Sequence, residues 1–299
     1  MTPKAVNVHL ASCRRGRREY HLALMTLLTA HQVFLVPEQF ATIQVAVDSV
    51  VSPTTIVVAP GVYPENLTVV GKQSLVIQSS RLSRRGVAIV GNDGAIAVLL
   101  VERSVLHLSG IEIRSNGRSR GVIAKQSSLN LQECVVAGNR VGAADEVALG
   151  AGIFARTSRV RLQKSALIGN VVASQVTSAG GGGLYAEDCR IEIAGCTIQG
   201  NSVYTPGDGR GGGIWGEGSS MRLWRSRITD NALYGSSCAG GGIYFAHPLS
   251  SQLGGSVITG NSCHAGRGGG IHVEGETSNV HIHRNTFVRQ NHPTDVEFT

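Results

Sequence analysis

The 299-residue chain is 42% hydrophobic, only 16% charged and 5% aromatic, and it carries 39 glycines. That apolar content excludes a disordered chain, and glycine without a Gly-X-Y period excludes collagen. The formal charge of +7 is not a nucleic-acid footprint, because residues 1–36 hold Lys4, Arg14, Arg15, Arg17 and Arg18 against Glu19, leaving 22 basic and 19 acidic side chains elsewhere, and such a footprint has to lie on the folded body.

In chain order, residues 1–36 read as a leader. Arg17-Arg18-Glu19-Tyr20-His21-Leu22 has the form of a twin-arginine export signal, with a short apolar run over 22–30 behind it. The run is too short to span a bilayer, and no other stretch nears ~20 continuous apolar residues. The expectation is therefore export, to a secreted, periplasmic or cell-surface location, with a disordered arm as the alternative. Six cysteines form no CxxC pair and are expected as small core residues rather than zinc ligands or a disulfide framework.

The folded domain is placed at 37–299. Phe40, Ile43, Val47 and Val50 recur at helical spacing, predicting a short amphipathic helix that ends near Ser52-Pro53 and closes the first coil. Strands near 55–59, 75–78, 87–90 and 95–101 would form irregular early coils. From there a repeat takes over. Asn139, Asn170, Asn201, Asn231, Asn261 and Asn291 follow one another at 30 or 31 residues. Five residues before each stands Cys134, Ser165, Cys196, Ser226, Ser256 or Thr286, and three before each an aliphatic from Val136 to Val288. A further column is Gly-aliphatic-aromatic: Phe154, Tyr185, Trp215 and Tyr244 end its members, and His272 replaces the aromatic in the last.

Within each repeat the apolar period is two, as in Ile191-Glu192-Ile193 and Met221-Arg222-Leu223, which predicts strands rather than helices. Short strands, glycine corners and a fixed thirty-residue period predict an all-β solenoid of about nine or ten coils, each repeat one turn, stacked at ~4.8 Å. The asparagines are expected in tight turns, in the left-handed conformation and bonded along the stack. No cap is evident after residue 291, so association of copies through that end, or a strand laid over it, is expected.

These motifs carry a resemblance. The GGGIY…N repeats, together with Phe40-Ala41-Thr42-Ile43-Gln44 and 56–66 (IVVAPGVYPEN), resemble right-handed parallel β-helices of the pectin-lyase-like superfamily, over about residues 38 to 291. The resemblance implies the fold, and carbohydrate chemistry in general terms. Gly61-Val62-Tyr63-Pro64-Glu65 is similar to the first motif of pectin methylesterases. The later motifs that carry their catalytic aspartates have no match here, and Asp145, Asp188, Asp208 and Asp230 stand in other contexts. Tyr63 and Glu65 are accordingly read as cap structure.

Strand alternation places Phe154, Tyr185, Trp215 and Tyr244 outward, as an exposed platform for sugar rings. On the same face Arg156, Glu187, Glu217 and Glu274 form a charged column. Glu187 and Glu217, one coil apart, would approach to about 5 Å, near the spacing of retaining glycosidase carboxylates, and are the candidate catalytic pair. Arg210 and Arg267, each before a glycine run, would bind an acidic sugar from one edge. No cofactor is required, although calcium suits such carboxylates; His281, His283 and His292 lack a third ligand in register, so no metal site is assigned. The function expected is binding, and cleavage by hydrolysis or elimination, of an extended polysaccharide. A non-enzymatic adhesin-like or structural β-helix is the alternative, and a carbohydrate ester hydrolase the second.

Overall fold

The computed structural model describes residues 32–51, 53–80, 86–142, 148–175 and 178–299; the twin-arginine segment, Cys13, Ser52 and Asp145 lie outside them. Every strand pairing in the three long sheets is parallel, and each strand hydrogen-bonds to its equivalents one coil away. The first sheet holds ten strands, from Gln32–Val36 to Val280–Ile282. A second holds nine, from Gly61–Tyr63 to Phe287–Arg289, and a third nine, from Leu67–Val70 to Val296–Phe298. Two five-stranded sheets of very short strands form an arm between the second and third. One coil therefore runs Ser128–Gln132, Val135–Ala137, Arg140–Val141, Ala148–Leu149, Ile153–Arg156 before re-entering the first sheet at Arg159–Gln163. This is the solenoid that the thirty-residue period predicts.

Period-two alternation decides the core. Val160 and Leu162, Ile191 and Ile193, and Met221 and Leu223 point inward and are almost wholly buried, while Arg161 and Arg222 between them are exposed. Burying a large aliphatic side chain stabilises by about 1.5–3 kcal/mol, and the same choice is repeated in every coil. Five of the cysteines are buried and unpaired, as small core residues.

The corners are held by polar ladders. Asn139 Nδ2 donates to Asn170 Oδ1 at 2.9 Å, and the step repeats through Asn201, Asn231, Asn261 and Asn291. The backbone N–H of each asparagine donates to the same oxygen of the next. The expected backbone is corrected: the residue before each asparagine takes the left-handed conformation, as with Gly138 (φ 65°), Gly200 (φ 63°) and Asp230 (φ 58°). Glycine bears that cost at four of the six positions and Asp230 and Gln290 at the other two, and the asparagine is free to bond along the stack. A second ladder runs through Cys134, Ser165, Cys196, Ser226 and Ser256, each backbone N–H donating to the next side chain at 3.1 to 3.4 Å.

Both ends are closed in part. The amino-terminal helix spans Ile43–Ser49, with Thr42 Oγ1 accepting from Val45 N. The Glu65 carboxylate accepts from the backbone N–H groups of Ile43 and Gln44 at 3.0 and 2.9 Å, and Tyr63 donates to the Ala59 carbonyl at 2.8 Å. These two residues build the cap. The first strand, Gln32–Val36, pairs with Thr54–Val58, and Val36 is buried. At the carboxyl-terminal end one of the expected alternatives is present on one face, where the strand Val296–Phe298 lies over Ile271–Val273. Val280–Ile282 and Phe287–Arg289 are the last strands of their sheets.

Candidate functional site on the aromatic and carboxylate face

The third sheet carries the predicted columns in the predicted register. Phe154 stands against Tyr185, Tyr185 against Trp215, Trp215 against Tyr244, and Tyr244 against His272. Two residues on, Arg156, Glu187, Glu217, Ala246 and Glu274 form the companion column. Both point away from the main core.

Exposure differs from the expectation. Tyr185 is 5% exposed, Tyr244 2% and His272 4%, while Phe154 and Trp215 are half-buried. The rings pack on one another: Phe154 stacks on Tyr185 at 5.4 Å, Trp215 meets Tyr185 and Tyr244 edge-on at 5.1 and 5.7 Å, and Tyr244 stacks on His272 at 5.4 Å. The arm covers them. A Cβ on Gly180, in the arm strand Ser178–Gly180, would run into the Trp215 ring. Arg210, in the arm strand Asp208–Arg210, sets its guanidinium 5.3 Å from the Tyr244 ring centroid. Alternation fixed which way the rings leave the coil, but it carries no information on what a neighbouring arm lays over them. The exposed sugar platform is thus replaced by an aromatic seam between sheet and arm.

The buried rings hold the carboxylates. Tyr185 Oη donates to Glu187 at 3.1 Å, Trp215 Nε1 to Glu217 at 3.1 Å, and Tyr244 Oη to Glu274. Glu187 and Glu217 are each bound by the ring two residues before them, and Glu274 by the ring one coil before it, so Glu187 and Glu217 are not a free repelling pair. Glu187 also takes an ion pair from Arg156 at 2.6 Å. Arg156 in turn lies 5.7 Å from the Phe154 ring, whose other neighbour is Arg120 at 5.5 Å. Among the described residues no arginine lies within ion-pair distance of Glu217. Burial pushes its carboxyl above the usual carboxylate range, the Trp215 hydrogen bond and His247 pull it back, and Glu187 and Glu274 add to the rise. Tyr185 and Tyr244 are raised by burial first and by their bonded carboxylates next, and so stay protonated donors. Between Glu217 and Glu274 the charged column is interrupted by Ala246, which is buried.

Arg210 and Arg267 occupy one column of the arm, two coils apart. Arg210 pairs with Asp208 at 3.7 Å and is largely covered, whereas Arg267 pairs with Glu297 at 3.7 Å and is well exposed. Arg210 belongs to the aromatic seam, and Arg267 to the carboxyl-terminal end. Among the described residues no three histidine, cysteine or acidic side chains converge as a metal site, and no helix is long and apolar enough to cross a membrane.

A family model described as right handed beta helix region matches residues 120–294, more than half of the sequence. The chain belongs to the right-handed β-helix family. A search of curated proteins returns no significant match. Among solved structures, the β-helix is similar to a pectin methylesterase from Aspergillus niger at 15% identity and TM-score 0.38, covering 86% of this chain and 85% of that one. It is also similar to pectate lyase Pel9A at 12% identity and TM-score 0.44, covering 89% and 79%, and to Escherichia coli YbhC at 11% and 0.35, covering 91% and 77%. At that similarity the neighbours assign no residue a role. The family match supplies the right-handedness that the resemblance implied.

Proposed function

We propose that this β-helix binds an extended polysaccharide along the charged column of its third sheet, and cleaves it with Glu217 as proton donor and Glu187 as the partner carboxylate. One observation carries the reading. Two carboxylates on adjacent coils have opposite surroundings: Glu187 is ion-paired to Arg156, while Glu217 is half-buried, has no ion-pair partner among the described residues, and is shifted toward its protonated form. Acid and base assignments follow such divergence. Strands one coil apart place the two backbones ~4.8 Å from each other, and side chains held near that spacing match a retaining arrangement, in which the acids stand about 5–5.5 Å apart. Glu217 would protonate the departing glycosidic oxygen and Glu187 would attack or stabilise the anomeric carbon. Arg156 and Glu274 flank the pair, and the seam of Phe154, Tyr185, Trp215 and Tyr244 orients the carboxylates. Arg210 and Arg267 would meet acidic groups on the chain from the arm side. Polysaccharides of this kind lie outside the cell, in keeping with the export reading of Arg17-Arg18.

The burial of the tyrosines favours a second reading, a β-helix that presents a surface without catalysis, since its aromatic groups are already engaged with one another. Incubation with a panel of plant, algal and bacterial polysaccharides separates the two. New reducing ends mean hydrolysis, absorbance from unsaturated ends means elimination, and retention in affinity gels without either means binding alone. Glu217→Gln is expected to abolish hydrolysis with the fold intact. Undiminished hydrolysis by that variant removes Glu217 from the mechanism.

A further inference from the structure

The arm has a core of its own, and that core changes character over its last two coils. One column of it reads Val141, Val172, Val203, Leu233 and then Cys263, in register. The other reads Ala148, Ala179, Gly209, Cys238 and then Gly266. A large aliphatic residue in one column thus goes with a small residue in the other, and they form a buried cluster separate from the main core. A Cβ on Gly209 would lie 3.5 Å from Leu233 Cδ2 and 3.6 Å from Cys238 Sγ, so those two side chains share one space. On the last coil Cys263 replaces the aliphatic, and Gly266 brings no side chain at all. Two thiols therefore occupy adjacent coils where the rest of the arm places hydrocarbon.

The two thiols meet there. Both are buried, the Cys263 S–H donates to the Cys238 sulfur, and Cys238 Sγ donates to the Gly235 carbonyl at 3.6 Å. The Cys263 hydrogen bond draws the Cys238 thiol below its ordinary value against the cost of burial, with Arg210 assisting, and the same bond and burial hold Cys263 above. Thiolate is the reactive form of cysteine, so Cys238 is the nucleophile of the two. Gly266–Arg267, in register with Cys238-Ala239, is the last strand of its sheet and is exposed, so one layer of chain separates Cys238 from solvent on that side. The other described cysteines stack against serine instead: Cys134 and Cys196 stand on either side of Ser165, and Cys189 lies against Ser219.

We propose that Cys238 and Cys263 are a redox pair that closes to a disulfide and staples the last two coils of the arm to each other. The oxidant is a small-molecule disulfide, admitted where the end strand Gly266–Arg267 opens. The Cys238 thiolate attacks one of its sulfurs, which forms a mixed disulfide and releases one thiol. Cys263 gives up its proton and attacks the Cys238 sulfur, which forms the protein disulfide and releases the second thiol. Two protein thiols are oxidised, and the two electrons leave with the reagent as two thiols. Compartment decides the state of such a pair, since cytosolic thiols are kept reduced and an oxidising environment closes them. The bridge encloses a loop of chain from 238 to 263, so it restricts the unfolded ensemble of the end coils while leaving their native packing in place.

Equilibration of the full chain with bis(2-hydroxyethyl) disulfide, against 2-mercaptoethanol as the reduced control, tests the pair. After acid quenching and alkylation in denaturant, chymotryptic cleavage at Tyr244 and Phe245 separates the two cysteines, and mass spectrometry without reduction reads the bridge. The oxidised chain should yield the Cys238 and Cys263 peptides joined, two hydrogens lighter than their sum. Its hydrogen exchange over residues 232–267 should be at least tenfold slower than that of the reduced chain. Cys263→Val restores the aliphatic of the earlier rungs, and Cys238→Ala restores the alanine of Ala148 and Ala179. Both variants are expected to fold, to form no bridge and to exchange alike under the two conditions. Both cysteines still alkylated after oxidation, a bridge from either to a different cysteine, exchange in wild type that ignores the oxidant, or an oxidant response that persists in either variant would each overturn the assignment.

Discussion

At the scale of single residues, Glu217 is the side chain whose environment departs furthest from its exposed neighbours on the charged column. Burial raises its carboxyl, so the folded chain holds that proton more tightly than the unfolded chain does. Its contribution to stability is fully present below the unfolded value and is lost as pH rises through the folded one. Glu217→Gln is therefore expected to match or exceed the wild-type thermal midpoint at pH 7.5, and to lose any such advantage on acidification to pH 4. A large loss at pH 7.5 would contradict the electrostatic account. The Trp215 indole opposes the shift by donating to the carboxylate. Removing it in Trp215→Phe should move the Glu217 titration, followed by carboxyl carbon NMR, to still higher pH.

At the scale of elements, each corner of a coil depends on one buried hydrogen-bonding side chain passed from rung to rung. Asn201 Oδ1 accepts both the backbone N–H and Nδ2 of Asn170, at 3.0 and 2.9 Å. Asn201→Ala would leave both donors buried and unmade, at roughly 1–3 kcal/mol each. A denaturation midpoint lowered accordingly is the expected measurement, and an unchanged one would mean that water or a neighbouring carbonyl replaces the oxygen. The glycine corners are tested in the same way. A Cβ on Gly213 would stand 2.6 Å from the Gly242 carbonyl oxygen of the next coil, so Gly213→Ala is expected to destabilise more than an alanine in any exposed strand position. These elements were readable in advance because asparagine and glycine recur with the coil. The serine ladder at the corner between the third and first sheets, including Ser127, Ser158 and Ser219, was not, since serine is common and Met221 meets Ser251 just past that corner. The burial of Tyr185 and Tyr244 was illegible because it depends on the arm, whose packing leaves no two-residue period.

At the scale of the whole molecule, the solenoid is a stack whose stability is a sum of coils and of the contacts between neighbours. Its last asparagine finds no further asparagine. Asn291 donates through its backbone N–H and Nδ2 to Asp295 Oδ1, at 3.0 and 2.9 Å, so a carboxylate four residues on substitutes for the missing rung. Asp295→Ala is expected to raise hydrogen exchange over residues 287–298 with little change in the global midpoint, and Asp295→Asn to restore protection. Uniform destabilisation would show that the end coil is not a separate unit. The fold as a whole was legible because thirty-residue spacing leaves few other architectures. The chemistry was less so, because columns specify adjacency without specifying which groups are already engaged.

The asparagine ladder also has a grain. Every asparagine-to-asparagine bond in it runs from donor to carboxyl-terminal neighbour, and the buried oxygen of Asn139, at the opposite end, receives no donor. A protein built this way can change size only in whole turns. Excising residues 201–230 would hand the donors of Asn170 to Asn231 and leave a shorter rod of the same cross-section, whereas removing half as many residues would set every later rung on the wrong side of the tube.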